Sequence, residues 1–329
     1  MKPLIDRYGR IHTYLRISVT DRCNLRCFYC MPQQGITAKK REEILSFDEI
    51  ERVSRIFAGM GIRKIRLTGG EPLVRKDIPT LVHRLSRIHG INILGMTTNG
   101  VLLKDFAPRL RETGLTHINI SLDSLRPERF QQIALRSRFR DVIDGIHTAL
   151  DAGFRSLKLN VVVIGGVNDD ELNDFVEFVR DKPLNVRFIE YMPFRFNGWK
   201  NTRLIPYRQM RKSIEQHYEL IPVTTHDDEY SVAKDFTIRG FTGSVSFITP
   251  LSEHFCGTCD RIRLTADGSV KSCLFHPAEL NLRDALRNGA GEEEIASMIG
   301  DGIRQKPAGH PAVEELAAIE NRSMIEIGG

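Results

Sequence analysis

The chain has 329 residues, 41% of them hydrophobic, and a formal net charge of +5, values that fit a globular protein with a sizeable core and exclude a disordered chain. No window approaches about eighteen consecutive apolar residues, so a membrane-spanning helix is not expected. The modest charge and the absence of a dense lysine and arginine run argue against a nucleic-acid-binding domain. The N-terminal stretch MKPLIDRYGRIH has no apolar signal region, and we expect a cytoplasmic protein with reduced thiols.

Six short β-branched runs alternate with helical patterns up to about residue 230. The first helical pattern, FDEIERVSRIFAGMG, follows a capping box of Ser46 and Glu49. Strand and helix alternation predicts a parallel sheet with helices outside. Six units fit an incomplete (βα)6 TIM-type barrel better than a closed one, and a doubly wound sheet stays an alternative. The runs are YLRISVT, IRKIRLT, INILGMTT, HINISL, LKLNVVVI and NVRFIEYM.

The alternation of strand and helix patterns ends after YMPFRFNGWK, and predicted turns and short strands become frequent. The segment DRIRLTADGSVKSCLF predicts a hairpin that turns at Asp267 and Gly268. Two helical patterns, LNLRDALRNG and EEEIASMIGDGIRQK, follow it. We therefore expect a partial-barrel domain over residues 1–225 and a smaller α+β domain over residues 226–329.

Three cysteines, Cys23, Cys27 and Cys30, follow the first predicted strand with the spacing C-x3-C-x2-C. Zinc would require a fourth ligand, and His12, the nearest histidine, precedes the strand. A [4Fe–4S] cluster held by three thiolates leaves one iron open to a substrate or cosubstrate. The spacing therefore favours a catalytic iron–sulfur cluster.

The segment CNLRCFYC resembles the signature of the radical S-adenosylmethionine (SAM) superfamily. The motifs LTGGEP, TTNG and SLD lie at the ends of the second, third and fourth strands, where parallel barrels build active sites. Adjacent glycines in LTGGEP allow close backbone approach to a ligand. The resemblance implies that the open iron chelates SAM and that an electron from the cluster cleaves SAM to a 5′-deoxyadenosyl radical. It assigns SAM binding to Tyr29, Gly70, Ser121 and Met192.

The other three cysteines, Cys256, Cys259 and Cys273, have the spacing C-x2-C-x13-C. A zinc knuckle completed by His254 or His276 is one explanation. A second cluster with an open iron is the other. In that case one cluster would generate a radical and the second would hold the substrate.

Both triplets, the segment GTCDRIRLTADG and the end SMIEIGG resemble the GTP 3′,8-cyclases of molybdenum cofactor biosynthesis, from about Arg16 onward. The resemblance implies a radical SAM lyase with two [4Fe–4S] clusters. The adenosyl radical removes the C3′ hydrogen of GTP, and the C3′ radical joins guanine C8. One-electron reduction and protonation then give (8S)-3′,8-cyclo-7,8-dihydroguanosine 5′-triphosphate. The resemblance implies three partners: a cyclic pyranopterin monophosphate synthase, an electron donor and a second copy of the chain in a homodimer. It implies no binding to nucleic acid or to a membrane. It assigns catalytic roles to Arg261, Arg263, Gly328 and Gly329.

Cationic side chains interrupt the predicted strands, and Arg261 and Arg263 share one strand face because they lie two residues apart. Guanidinium groups pair well with phosphate oxygens, so these residues form a plausible phosphate clamp. A one-residue shift of the match would exchange Thr97 for Thr98. The resemblance assigns GTP binding to Arg16, Arg66, Thr97, Lys158, Arg261 and Arg263.

Two other functions fit parts of the sequence. A radical SAM enzyme with an auxiliary cluster could modify a peptide, although such enzymes more often carry additional cysteines. A zinc- or iron-binding sensor or nucleic-acid protein would leave SAM intact and would place its cations along a surface. Radical formation in response to GTP, to a peptide, or not at all separates the three.

Overall fold

The computed structural model describes residues 2–32, 34–195, 197–224, 232–278, 280–319 and 322–328. Within these ranges a 12-stranded sheet forms the centre of the fold. Its strands are β1 (Tyr14–Ser18), β2 (Lys64–Thr68), β3 (Ile93–Thr98), β4 (His117–Ser121), β5 (Ser156–Val163), β6 (Asn185–Glu190), β7 (Leu220–Pro222), β8 (Ala233–Ile238), β9 (Ser244–Ile248), β10 (Arg261–Leu264), β11 (Ser269–Lys271) and β12 (Leu280–Asn281).

Helices follow most of the strands, and α1 begins with the predicted capping box. Glu49 N donates to Ser46 Oγ (3.1 Å) and Ser46 N donates to Glu49 Oε2 (2.7 Å). In the part of the chain that the structure describes, no helix combines the length and apolar character needed to cross a membrane. The helices are α1 (Phe47–Gly59), α2 (Ile78–Ser86), α3 (Leu103–Glu112), α4 (Pro127–Ala134), α5 (Phe139–Asp151), α6 (Leu172–Phe178), α7 (Tyr207–Glu215), α8 (Arg283–Arg287), α9 (Glu292–Arg304), α10 (Val313–Ala318) and α11 (Met324–Ile327).

Strands β1 to β6 lie side by side in chain order, and each neighbouring pair is parallel. A doubly wound sheet reverses its strand order at a switch point. This sheet has no such reversal from β1 to β6. The predicted partial barrel is therefore confirmed, and the doubly wound alternative is wrong.

The C-terminal part of the chain adds strands to both edges of this barrel. Strand β10 pairs in parallel with β1, and β9 pairs in parallel with β6. The hairpin of β10 and β11 confirms the predicted turn, where Gly268 has φ +84°. The predicted domain boundary at residue 225 lies outside the described residues, and the division into two domains stays a prediction.

Side chains alternate between two environments along each strand. In β1, Leu15 and Ile17 are fully buried in the apolar core shared with the helices. The neighbouring Tyr14 and Arg16 line a cavity on the other face of the sheet. The charged residues that interrupt the apolar strands therefore belong to the strand face that lines the cavity.

Candidate active site

The cavity has a volume of about 770 Å³, and all six cysteines border it. Gly328 is not among its lining residues, and Gly329 lies outside the described residues. The structure otherwise brings the sequence-predicted SAM and GTP residues to one cavity. Those that line it are Tyr29, Gly70, Ser121, Met192, Arg16, Arg66, Thr97, Lys158, Arg261 and Arg263.

The two cysteine triplets approach this cavity from opposite ends of the strands. Cys23 follows the C-terminal end of β1, whereas Cys259 precedes the N-terminal end of β10. Since β1 and β10 are parallel and in register from Tyr14 and Arg261, these ends point in opposite directions. The antiparallel strand β11 returns Cys273 to the end where Cys259 lies. A five-residue strand separates the two ends by about 16 Å.

The first triplet is chemically suited to a cationic metal group. Burial raises the pKa of Cys23 to about 11 and that of Cys30 to about 12, and it raises the pKa of Cys27 well above its ordinary value. Neighbouring thiolates of the triplet add to the rise at Cys27 and Cys30. An iron–sulfur core supplies the positive charge that would keep them as thiolates.

A buried carboxylate orders the loop around Cys23. Glu71 accepts hydrogen bonds from Thr98 Oγ1 (2.7 Å) and from the backbone N of Asn99 (2.6 Å). The Asn99 side chain donates to Asn24 Oδ1 (2.7 Å) and lies 3.7 Å from Cys23 Sγ. The motifs LTGGEP and TTNG therefore act together to position the first cysteine.

The two glycines of LTGGEP lie close to the backbone of the cysteine loop. The sequence had predicted instead that they allow close approach of a ligand. A Cβ at Gly70 would lie 2.3 Å from Arg22 O, and one at Gly69 would lie 2.5 Å from Thr20 O. The two loops join through Gly70 N to Thr20 O and Glu71 N to Arg22 O, both 2.8 Å. Both glycines also line the cavity.

Tyr29 uses its hydroxyl group to hold a second buried carboxyl. The hydroxyl donates to Asp123 Oδ2 (2.6 Å), and the backbone N of Val162 donates to Asp123 Oδ1 (2.9 Å). Burial raises the pKa of Asp123 to about 6 in spite of these bonds. Asp123 belongs to the SLD motif, so this bond ties the cysteine loop to the end of β4.

Three arginines are paired in register on three adjacent strands. Arg16 is in register with Arg263 on β10 and with Arg66 on β2. Arg66 donates from Nε to the Tyr14 hydroxyl (2.8 Å) and from Nη1 to Met96 O (3.0 Å). Burial lowers the pKa of Arg16 to about 10 and that of Arg263 to about 9. Cations crowded in this way, two of them buried and Arg16 half-buried, favour an anionic ligand.

Several buried polar atoms around the cavity have no hydrogen-bond partner among the described residues, including Arg187 Nε, Arg263 Nη1 and Thr97 Oγ1. Buried donors are normally satisfied, so these atoms are available to a ligand. Thr98, in contrast, donates its hydroxyl to Glu71 (2.7 Å). This difference supports Thr97 over Thr98 as the substrate contact.

The second triplet lies beside two cations, the buried Lys306 and the half-buried Arg261. Burial raises the pKa of Cys256. Burial also opposes ionisation of Cys259, but Lys306 and Arg261 outweigh it and lower the pKa of that thiol. Among the described residues, no group of three His, Cys, Asp or Glu side chains converges to hold a single metal ion. The thiols of a cubane bind separate irons and need not meet at one point, and the choice between a second cluster and a zinc knuckle stays a prediction.

Comparisons with known proteins identify the family to which the chain belongs. Models of the radical SAM superfamily and of Molybdenum Cofactor Synthesis C match residues 17–179 and 184–312. The mitochondrial GTP 3′,8-cyclase of Arabidopsis thaliana is 48% identical over 326 residues, which cover 99% of this chain and 83% of that protein. The GTP 3′,8-cyclase of Syntrophomonas wolfei is 44% identical over 327 residues, 99% of this chain and 100% of that protein. The chain belongs to the GTP 3′,8-cyclase family.

Other members of this family are longer. Molybdenum cofactor biosynthesis protein 1 of Homo sapiens is 46% identical over 327 residues, which cover 98% of this chain and 51% of that protein. The chain therefore spans about half the length of that relative.

Solved structures show the same fold at low sequence identity. Streptococcus suis SuiB bound to precursor peptide SuiA has a TM-score of 0.61 and 14% identity, over 91% of this chain and 69% of that chain. The structure of anSMEcpe with bound AdoMet has a TM-score of 0.59 and 16% identity, over 94% of this chain and 81% of that chain.

Sequence reasoning missed several polar residues of the cyclase-family cavity. Arg187 interrupts the sixth strand in the way that Arg66 and Lys158 interrupt theirs, and the same signal would have found it. Burial lowers the pKa of Arg187 to about 10 and that of Lys158 to about 8. Lys306 follows a helix and gave no periodic signal.

The C-terminal tail reaches the ends of β1 and β2. A Cβ at Gly328 would lie 2.7 Å from Ser18 Cβ and 2.9 Å from Thr68 Oγ1, and Gly328 has φ +90°. Only glycine adopts this conformation in so little space. The catalytic roles assigned to the two glycines stay predictions.

Proposed function

We propose that this chain converts GTP to (8S)-3′,8-cyclo-7,8-dihydroguanosine 5′-triphosphate in a SAM-dependent radical reaction, the first step of molybdenum cofactor biosynthesis. The observation that carries the proposal is the shared cavity, which both cysteine triplets border and which arginine and lysine side chains line between them. Family membership supports the same reaction, because full-length relatives are GTP 3′,8-cyclases.

In this proposal Cys23, Cys27 and Cys30 hold the first [4Fe–4S] cluster, the donor set that a three-thiolate cubane requires. When bound, this cluster and SAM supply the 5′-deoxyadenosyl radical that removes a hydrogen atom from the substrate. Tyr29, Gly70, Ser121 and Met192 would bind SAM, and their positions around the cavity support this role.

The buried cations would bind the triphosphate and ribose. Arg16, Arg66 and Arg263 lie in register on three adjacent strands, and Lys158 lines the same cavity. Phosphate oxygens would satisfy the open donors of Arg187 and Arg263 and offset the cost of burying charge in the cavity. Thr97, with its free hydroxyl, would complete this contact. The residues thus orient the nucleotide so that C3′ and C8 approach each other.

Cys256, Cys259 and Cys273 would hold the second cluster, which would contact the guanine. Arg261 and Arg263 lie on the strand that follows two of these cysteines, which supports a shared role in substrate binding. The proposal also includes an electron donor, a homodimer, a cytoplasmic location and a cyclic pyranopterin monophosphate synthase that receives the product.

The test uses anaerobically reconstituted protein with SAM, a reductant and GTP deuterated at C3′. Mass spectrometry follows deuterium into 5′-deoxyadenosine. Transfer of deuterium supports the reaction, whereas unlabelled 5′-deoxyadenosine formed equally without GTP contradicts it. The peptide-modifying alternative is not favoured, because the peptide-bound SuiB structure shares only the fold.

A further inference from the structure

Lys306 is a buried cation whose ammonium group contacts the second cysteine triplet. Only 3% of its surface is exposed, and it lies two residues after the end of α9. Its Nζ donates to Cys259 O (2.9 Å) and Arg261 O (3.2 Å) and lies 3.6 Å from Cys259 Sγ. The three protons of the ammonium group therefore have three acceptors, one of which is a predicted cluster ligand.

Arg10 fixes the backbone on either side of this contact. Its guanidinium donates to Cys256 O (2.8 Å), Pro307 O (2.6 Å) and Ala308 O (2.9 Å). The segment that follows Lys306 is thereby joined to the loop that carries Cys256. This arrangement leaves the ammonium group little freedom to move away from Cys259.

The first triplet has no equivalent cation on a sulfur atom in the described part of the chain. The donors to Cys23 Sγ are neutral, namely Leu25 N (3.4 Å) and the Asn99 side chain (3.7 Å). The nearby buried ionisable groups include the carboxyls of Glu71 and Asp123. The second triplet therefore has a cation on a sulfur atom, and the first has neutral donors.

We propose that Lys306 is a positioning residue for the second cluster, which it stabilises by orienting Cys259 and by offsetting the negative charge of the thiolates. The inference rests on the proposed function, because it requires a cluster on the second triplet. One-electron reduction makes a cluster one unit more negative, so a fixed positive charge at its ligand favours the reduced state. Lys306 therefore raises the reduction potential of the second cluster.

The experiment compares the reconstituted wild-type protein with Lys306→Gln and Lys306→Arg. Glutamine keeps a hydrogen-bond donor and removes the charge, whereas arginine keeps the charge. Iron content is measured first, and a titration with titanium(III) citrate followed by electron paramagnetic resonance gives the potential of each cluster. The signal lost in Cys259→Ser identifies the second cluster.

We expect Lys306→Gln to lower the potential of the second cluster, or to lower the iron content from about eight to about four per chain. Lys306→Arg retains the cluster at nearly the wild-type potential. Arg75→Gln is a matched control, because Arg75 is a half-buried cation that donates to Val19 O (2.6 Å) and Leu45 O (2.7 Å) and contacts no cysteine in the described structure. It should leave the second cluster unchanged.

An unchanged potential in a Lys306→Gln protein that holds about eight irons overturns the role of Lys306 and leaves the proposed function intact. A wild-type protein that holds only about four irons overturns both, because the second triplet then carries no cluster.

Discussion

Replacement of Gly70 with alanine tests whether the contact between the LTGGEP loop and the cysteine loop shapes the first cluster site. The new Cβ would lie 2.3 Å from Arg22 O, whereas ordinary contact begins at 3.4 Å. The two loops would have to separate by about 1 Å, because the opposing atom belongs to the backbone. The bonds from Gly70 N to Thr20 O and from Glu71 N to Arg22 O, both 2.8 Å, would then exceed hydrogen-bond distance.

Loss of two backbone hydrogen bonds costs about 2 kcal/mol, and overpacking adds about 1–3 kcal/mol. We therefore expect Gly70→Ala to lower the free energy of unfolding by about 3–5 kcal/mol and the denaturation midpoint by roughly 5–10 °C. The displacement would also move Cys23, so less iron should bind to the first triplet. Thermal denaturation and iron analysis after anaerobic reconstitution measure both effects.

Gly300→Ala is the matched control, because Gly300 lies inside α9 and its added Cβ would meet only Arg304 Nη1, at 3.7 Å. This change should be neutral or stabilise the protein by up to about 1 kcal/mol. The explanation would be refuted if Gly70→Ala kept both the wild-type midpoint and the wild-type iron content.

Three further predictions concern the cavity. Arg263→Met should weaken GTP binding about 10- to 100-fold in equilibrium dialysis. The same change at the exposed Arg180 should have no effect. Equal GTP affinities of Arg263→Met and the wild type would contradict the phosphate clamp. Because burial lowers the pKa of Lys158 to about 8, its charge is present below that pH and lost above it. GTP affinity should therefore fall between pH 7 and pH 9 in the wild type and change less in Lys158→Arg, and identical pH profiles would exclude Lys158 as the titrating group. Tyr29→Phe removes a donor to the buried Asp123 and should cost about 1–3 kcal/mol of stability, so an unchanged denaturation midpoint would count against this bond.

The predicted barrel followed from features that are local in sequence. The capping box at Ser46 and Glu49 and the β-branched runs each depend on neighbouring residues, and the structure confirms both. The energetic cost of placing a charge in an apolar strand singled out Arg66 and Lys158, but it left open whether each side chain reaches an edge of the sheet or a buried anion. Arg187 carried the same signal and could have been predicted.

Other features depend on contacts between distant parts of the chain. The pairing of β1 with β10 joins segments separated by more than 240 residues, and the short run of β10 does not indicate its partner. Lys306 contacts Cys259 although three strands and two helices separate the two residues in sequence. No periodicity or spacing encodes such a contact, because it depends on where α9 packs. The roles of Gly69 and Gly70 also required the position of the opposing backbone.

The pairing of β1 with β10 also limits the kind of substrate that the cavity suits. The two triplets lie beyond opposite ends of the same pair of parallel strands, and a five-residue strand is about 16 Å long. A substrate that contacts the second triplet and approaches SAM at the first must extend along the strands past Arg16 and Arg263. A small neutral compound would bring no negative charge to the buried Arg263, whose Nη1 has no hydrogen-bond partner among the described residues, and would leave its desolvation cost uncompensated. An extended polyanion such as a nucleoside triphosphate meets both requirements, so the sheet register and the buried charges independently favour the same class of substrate.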